Sequence, residues 1–177
     1  TVMFDDNKKD NINIYVKKDD IATINIKLSD INVSTVANSA DRTFTVGGVT
    51  FIMKYVEAGT FLMGSTDYFN EQPIHRVTIS KDYYIGETEV TQALWKAVTG
   101  NSPTADGVPW SSNYGLGDNY PAYYISYEDV QSFIKKLNRK TGENFRMPTE
   151  AEWEFAARGG SNGMGYTYSG SNRIRNV

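Results

Sequence analysis

Phe145-Arg146-Met147-Pro148-Thr149-Glu150-Ala151-Glu152-Trp153-Glu154-Phe155-Ala156-Ala157-Arg158-Gly159-Gly160 carries the densest local signals in the chain. Thr149 has the short oxygen-bearing side chain that caps a helix N-terminus, and Glu152, three residues on, completes a capping box. The spacing predicts a helix from the Thr149 cap to about Arg158, ended by Gly159-Gly160. Glu150, Glu152 and Glu154 invite a metal or acid–base reading. Alternate positions on a helix do not share a face, however, and acids in a first turn are explained by capping and the helix dipole.

Working back towards the N-terminus, two more helices carry start signals. Thr91 caps the first, with Val90 and Trp95 placed as a hydrophobic staple. Ser126 caps the second, with Asp129 three residues on. Its Val130, Phe133, Ile134 and Leu137 hold the spacing of one buried face. Lys135, Lys136, Arg139 and Lys140 crowd the end where the dipole favours cations, and Gly142 suits the stop. A Gly-, Asn- and Ser-rich loop, Asn101 to Tyr120, joins these two helices.

Before the helices the periodicity changes to two. Thr43–Val46 and Val49–Val56 are β-prone runs around Gly47-Gly48, a pair that tolerates the positive φ angles of a type I′ hairpin turn. Phe61–Met63 and His75–Ser80 read as further strands, and Tyr166 and Tyr168 alternate as in a short one. Residues 1–36 form a β-rich segment, read from Asn11–Ile14 and Ile24–Leu28, either an arm on the next domain or part of another. Residues 37–42 are small and polar and are taken as a linker. The class is α+β.

The chain has 177 residues, 40% hydrophobic and 22% charged, with a net charge of −3. Its cations are scattered among acids, so the basic stripe of a nucleic-acid binder is missing. No apolar run approaches the roughly 20 residues of a membrane span. With no cysteine, these residues hold no disulfide, thiolate metal site or cysteine nucleophile. His75, the single histidine, lacks a nearby His or Cys partner and reads as a hydrogen-bonded structural residue. Neither a phosphate loop nor a Gly-x-Ser-x-Gly nucleophile elbow occurs. Abundant tyrosine, asparagine, serine and glycine suit an extracytoplasmic protein.

The stretch around Thr149 resembles the signature of the formylglycine-generating-enzyme (sulfatase-modifying factor) family, usually Arg-Leu-Pro-Thr-Glu-Ala-Glu-Trp-Glu-Tyr-Ala-Ala-Arg-Gly-Gly. Only Met147 and Phe155 depart from it. Arg146, Pro148, Thr149, Glu150, Glu152, Trp153, Arg158, Gly159 and Gly160 are its signature positions here. Val56–Gly64, Glu71–Val77, Tyr84–Thr91 and Pro121–Val130 resemble other family segments in the family's order, so the resemblance covers residues 43–177.

The resemblance implies a C-type-lectin-like fold, incomplete at its C-terminal side, because the family's late motifs and copper-binding cysteine pair are not in these residues. It also implies that Asn176 and Val177 match a pair binding a structural calcium. Copper is expected only if a further half of the domain supplies cysteines. Two functions stay open. One is a non-catalytic surface module binding a protein or glycan ligand; the other is a fragment of a copper-dependent oxidase acting on a sulfatase cysteine. Under this reading Trp153 is buried against the earlier helices. Ile174 and Val177 are exposed, offering a surface for self-association.

Overall fold

The computed structural model describes residues 2–4, 40–102, 109–166, 168–173 and 175. The Gly47-Gly48 turn sets the sheet's register. Both glycines have positive φ, 57° and 81°, as a type I′ turn requires. They place β2 (Arg42–Val46) antiparallel to β3 (Val49–Val56), with Val46 opposite Val49 and Arg42 opposite Met53. Arg42 thus belongs to the sheet rather than to the expected linker. Along β3, Phe51, Met53 and Tyr55 turn inward while Thr50, Ile52 and Lys54 are exposed, the half-buried strand pattern.

Among the described residues five antiparallel strands form the main sheet in the order β2-β3-β6-β1-β7. Here β1 is Met3–Phe4, β6 is Tyr83–Gly86 and β7 is Phe145–Arg146. The short β1 lies between β6 and β7 and pairs with both. Both alternating runs foreseen in residues 1–36, Asn11–Ile14 and Ile24–Leu28, lie outside the described residues. A separate hairpin pairs β4 (Gly59–Met63) with β5 (His75–Ile79).

Both faces of the sheet are covered. On one face α1 (Gln92–Thr99) and α2 (Tyr127–Thr141) stack Trp95 on Phe133, centroids 4.9 Å apart and planes 7° apart. Their core takes Val46, Met53, Tyr84 and Phe145 from the strands. On the other face α3 (Glu150–Ala157) and the β4–β5 hairpin enclose Met3, Ile79, Tyr83, Ile85 and Phe155. This double coverage explains why Tyr83, Tyr84 and Ile85 are all buried in succession.

All three foreseen caps are present. Thr91 accepts from the Leu94 amide, and Ser126 and Thr149 each form a full capping box, with Asp129 and Glu152. Gly100 and Gly142 end α1 and α2 in the left-handed conformation. Thr149→Ala is expected to lower stability by about 1 kcal/mol, the usual cost of an N-cap. An unchanged urea midpoint would show that the cap carries no weight.

Two expectations are corrected. Trp153 is 50% exposed, because Phe155 holds the core-facing position of α3. Two residues apart on a helix, the two side chains point to different sides, and α3 packs on β4 and β5. Tyr166 is not in a strand, and Tyr168 forms only an isolated bridge with Ser171. Ile174, Asn176 and Val177 lie outside the described residues.

Candidate binding cleft beside the signature helix

The signature residues converge on two nodes at opposite ends of α3. At its start the Arg146 guanidinium donates to both Glu152 carboxylate oxygens, Nη1–Oε2 2.9 Å and Nη2–Oε1 2.7 Å. The same carboxylate accepts from the Thr149 amide at 2.8 Å and the Thr149 hydroxyl at 2.9 Å. Tyr83, reaching up from the sheet, donates its hydroxyl to the Glu152 carbonyl at 2.6 Å. Arg146, aided by Thr149, holds the Glu152 carboxyl down at about 2, while burial raises Tyr83 above its ordinary value.

The sign of the linkage follows. A carboxyl depressed in the fold contributes stability that is full above its ordinary value near 4.5 and lost as pH falls through about 2. Arg146 is 36% exposed, so solvent screens the pair. Glu152→Gln is expected to cost on the order of 2 kcal/mol at pH 7. The gap between variant and parent should close between about pH 4.5 and 2. Parallel stability curves down to pH 2 would refute the assignment.

At the other end, Glu154 and Arg158 pair one turn apart at 2.6 Å. Together they bracket the Gly64 backbone. Its amide donates to Glu154 at 2.9 Å and its carbonyl accepts from Arg158 at 3.0 Å. Gly64 has φ +94°, and an added Cβ would lie 2.3 Å from the Glu71 carbonyl oxygen. Only glycine fits there. Glu152 and Glu154 therefore serve separate contacts and do not share a site.

Trp153, between these nodes, turns to a cleft of about 540 Å³. Lys54–Glu57 of β3 and the stretch following it line one side, Ile85–Glu89 another. Ala156, Ala157, Gly159–Asn162 and Ser169 complete it. Tyr55 donates its hydroxyl to Asp82 at 2.6 Å, which pushes the phenol up to about 12 and keeps it protonated. Lys54 pairs with Asp41 and approaches Glu87 at 4.0 Å. With Glu57, Glu87 and Glu89 against this single lysine, the lining is acidic. An exposed indole beside carboxylates can stack on the apolar face of a sugar or pack an aliphatic side chain.

A second aromatic surface lies on the α1–α2 loop. Tyr114, 70% exposed, meets Tyr123 and Tyr124 with centroids 6.3 and 6.1 Å away, and Tyr124 sits at φ 52°. His75 is exposed, and its Nδ1 lies 2.9 Å from the Pro73 carbonyl. Among the described residues no three His, Asp or Glu side chains converge as for a metal. The suggested calcium pair, Asn176 and Val177, is outside them.

A family model for the sulfatase-modifying factor enzyme 1-like domain matches residues 49–177. The chain belongs to this family. Among curated relatives it is 32% identical over 141 residues to the chaperone protein LppX of Paenibacillus barcinonensis, covering 66% of this chain and 49% of that one. It is 28% identical over 159 residues to the formylglycine-generating enzyme of Streptomyces coelicolor, covering 62% and 48%. The chain thus spans about half the length of these two relatives. Treponema denticola variable protein 1 superposes with a TM-score of 0.59 at 32% identity, covering 77% of this chain and 62% of that one. PvdO from Pseudomonas aeruginosa superposes with a TM-score of 0.55 at 30% identity, covering 72% and 57%.

The fold is therefore the mixed α/β fold of the sulfatase-modifying factor family, as the signature implied. The family-matched part begins with β3, so β1 and β2 lie outside it. Among the described residues no helix is long and apolar enough to cross a membrane. Sequence reasoning named the signature but not the cleft beside it. Tyr55 belongs to no motif, and Glu57, Glu87 and Glu89 sit in family-like segments far apart in sequence that meet at the cleft only in the fold.

Proposed function

We propose that this family domain, as represented by these 177 residues, is a non-catalytic binding module on a C-type-lectin-like scaffold, working outside the cytoplasm. Its ligand is a protein or glycan segment held in the cleft. The half-exposed Trp153 on the wall of that cleft carries the reading, since a large indole left open to solvent on a helix that anchors itself through Phe155 suits recognition. The residues present do not fit a thiolate copper site, because copper(I) prefers soft sulfur ligands and no cysteine occurs among them. The resemblance to a formylglycine-generating enzyme favours the second reading, part of an oxidase whose cysteines lie elsewhere.

Two assays test the binding-module reading. The 177-residue chain is incubated with copper and a Cys-x-Pro-x-Arg peptide, and the product is read by mass spectrometry. No aldehyde is expected; copper-dependent aldehyde would sink the binding-module reading. In parallel, glycan and peptide arrays are probed with parent and Trp153→Ala chains. Hits that vanish in the variant support the cleft, and hits indifferent to Trp153 remove it as the site. Trp95 and Trp110 are buried, at 5% and 6% exposure, so quencher-accessible tryptophan emission reports on Trp153.

A further inference from the structure

A two-residue strand fills an interior position of the main sheet. Residues 2–4 lie between β6 and β7 and are antiparallel to both. Met3 faces Ile85 on one side and Arg146 on the other, and Phe4 faces Tyr84 and Phe145. The Val2 carbonyl accepts from the Gly86 amide at 3.0 Å, extending the ladder by one residue. Consecutive strand residues point to opposite faces, and here that puts one side chain into each core. Val2, 3% exposed, joins the core under α1 and α2; Met3, fully buried, joins the core with Phe155. The Arg146 guanidinium also lies 3.5 Å from the Met3 sulfur.

Withdrawing these residues would leave a slot one strand wide, with a donor–acceptor ladder on both sides and a hole in each core. In the described sheet β7 has no strand neighbour except β1. The segment is joined to β2 only through residues 5–41, which could span roughly 120 Å if extended. Covalent connection therefore does not dictate which molecule's slot it fills. β1 also lies outside the family-matched region.

We propose that the slot between β6 and β7 is a strand-acceptor site and that its partner is the same Val2–Phe4 segment of a second copy of the chain. The two molecules would exchange their β1 strands. Every contact of the closed monomer is reproduced in the exchanged dimer, since the donor segment is identical. The balance between the two forms follows protein concentration.

The absence of cysteine from the 177 residues makes the test direct. A Met3→Cys chain is mixed with an Ile85→Cys chain under mild oxidation, and disulfide-linked species are mapped by mass spectrometry. A heterodimer joined Cys-to-Cys between positions 3 and 85 forms only when one molecule's strand fills the other's slot. Its yield is expected to rise at least several-fold with concentration and to fall when excess Thr-Val-Met-Phe-Asp-Asp peptide is added. Homodimers alone, or no dimer, would overturn the exchange. A single chain carrying both Met3→Cys and Ile85→Cys serves as control. It should cross-link to itself in dilute solution, and failure to do so would overturn the placement of β1 and the proposal with it.

Discussion

Phe155→Ala is expected to lower the unfolding free energy by about 3–5 kcal/mol, the range for removing a buried aromatic ring. Phe155 is 1% exposed and packs against Phe61 with centroids 5.2 Å apart. Its ring closes the core shared by Met3, Ile79, Tyr83 and Ile85. The site cannot collapse inward, because it is bounded by a sheet on one side and a hairpin on the other. Gly59 already approaches so closely that a Cβ there would lie 2.8 Å from the ring. Trp153→Ala, in the same helix, is the matched control and should cost about 1 kcal/mol or less, as for exposed positions. Urea titrations of both variants check the pair. Equal losses would mean that α3 presents a different face to the core.

Gln92→Leu is expected to cost about 2–4 kcal/mol, by stranding hydrogen-bonding groups. Gln92 is the buried polar residue of α1, with no exposed surface. Its side-chain amide donates to the Gly115 and Pro121 carbonyls at 3.0 and 3.1 Å, and its carbonyl accepts from the Gly117 amide at 3.1 Å. Leucine has similar volume and keeps the packing, so the loss isolates the polar contacts. Amide exchange should locate it: Gly117 is expected to lose protection while the α2 amides keep theirs. Gly117 exchanging at the parent rate would show that the loop is held by other contacts.

The elements legible beforehand were those fixed by local chemistry. Thr91, Ser126 and Thr149 announce their helices because a capping oxygen acts within one turn. Gly47-Gly48 announces its hairpin because the turn type demands positive φ. Leu137 and Phe133 were legible through the 3.6-residue period. The cleft was not, since Tyr55, Glu87 and Trp153 meet only after β3, β6 and α3 are assembled, and no local rule links them. The Trp153 expectation failed for a related reason. The short α3 has apolar residues on more than one side, so periodicity does not choose between Trp153 and Phe155 as the buried one. Gln92 carried no signal either, because its partners are backbone groups of a distant loop.

The position of β1 has a consequence for how the protein is made. Met3 and Arg146 are 143 residues apart in the chain. A ribosome adding about 5–20 residues per second separates their emergence by roughly 7–30 s. The Val2-Met3 pair waits for β6 through the first part of that interval and for β7 through all of it. The local β2–β3 hairpin, by contrast, closes in microseconds once both strands are out. Assembly of this part of the sheet therefore runs against the order of synthesis: β1 is made before either of its partner strands and is secured on both sides only once β7 exists.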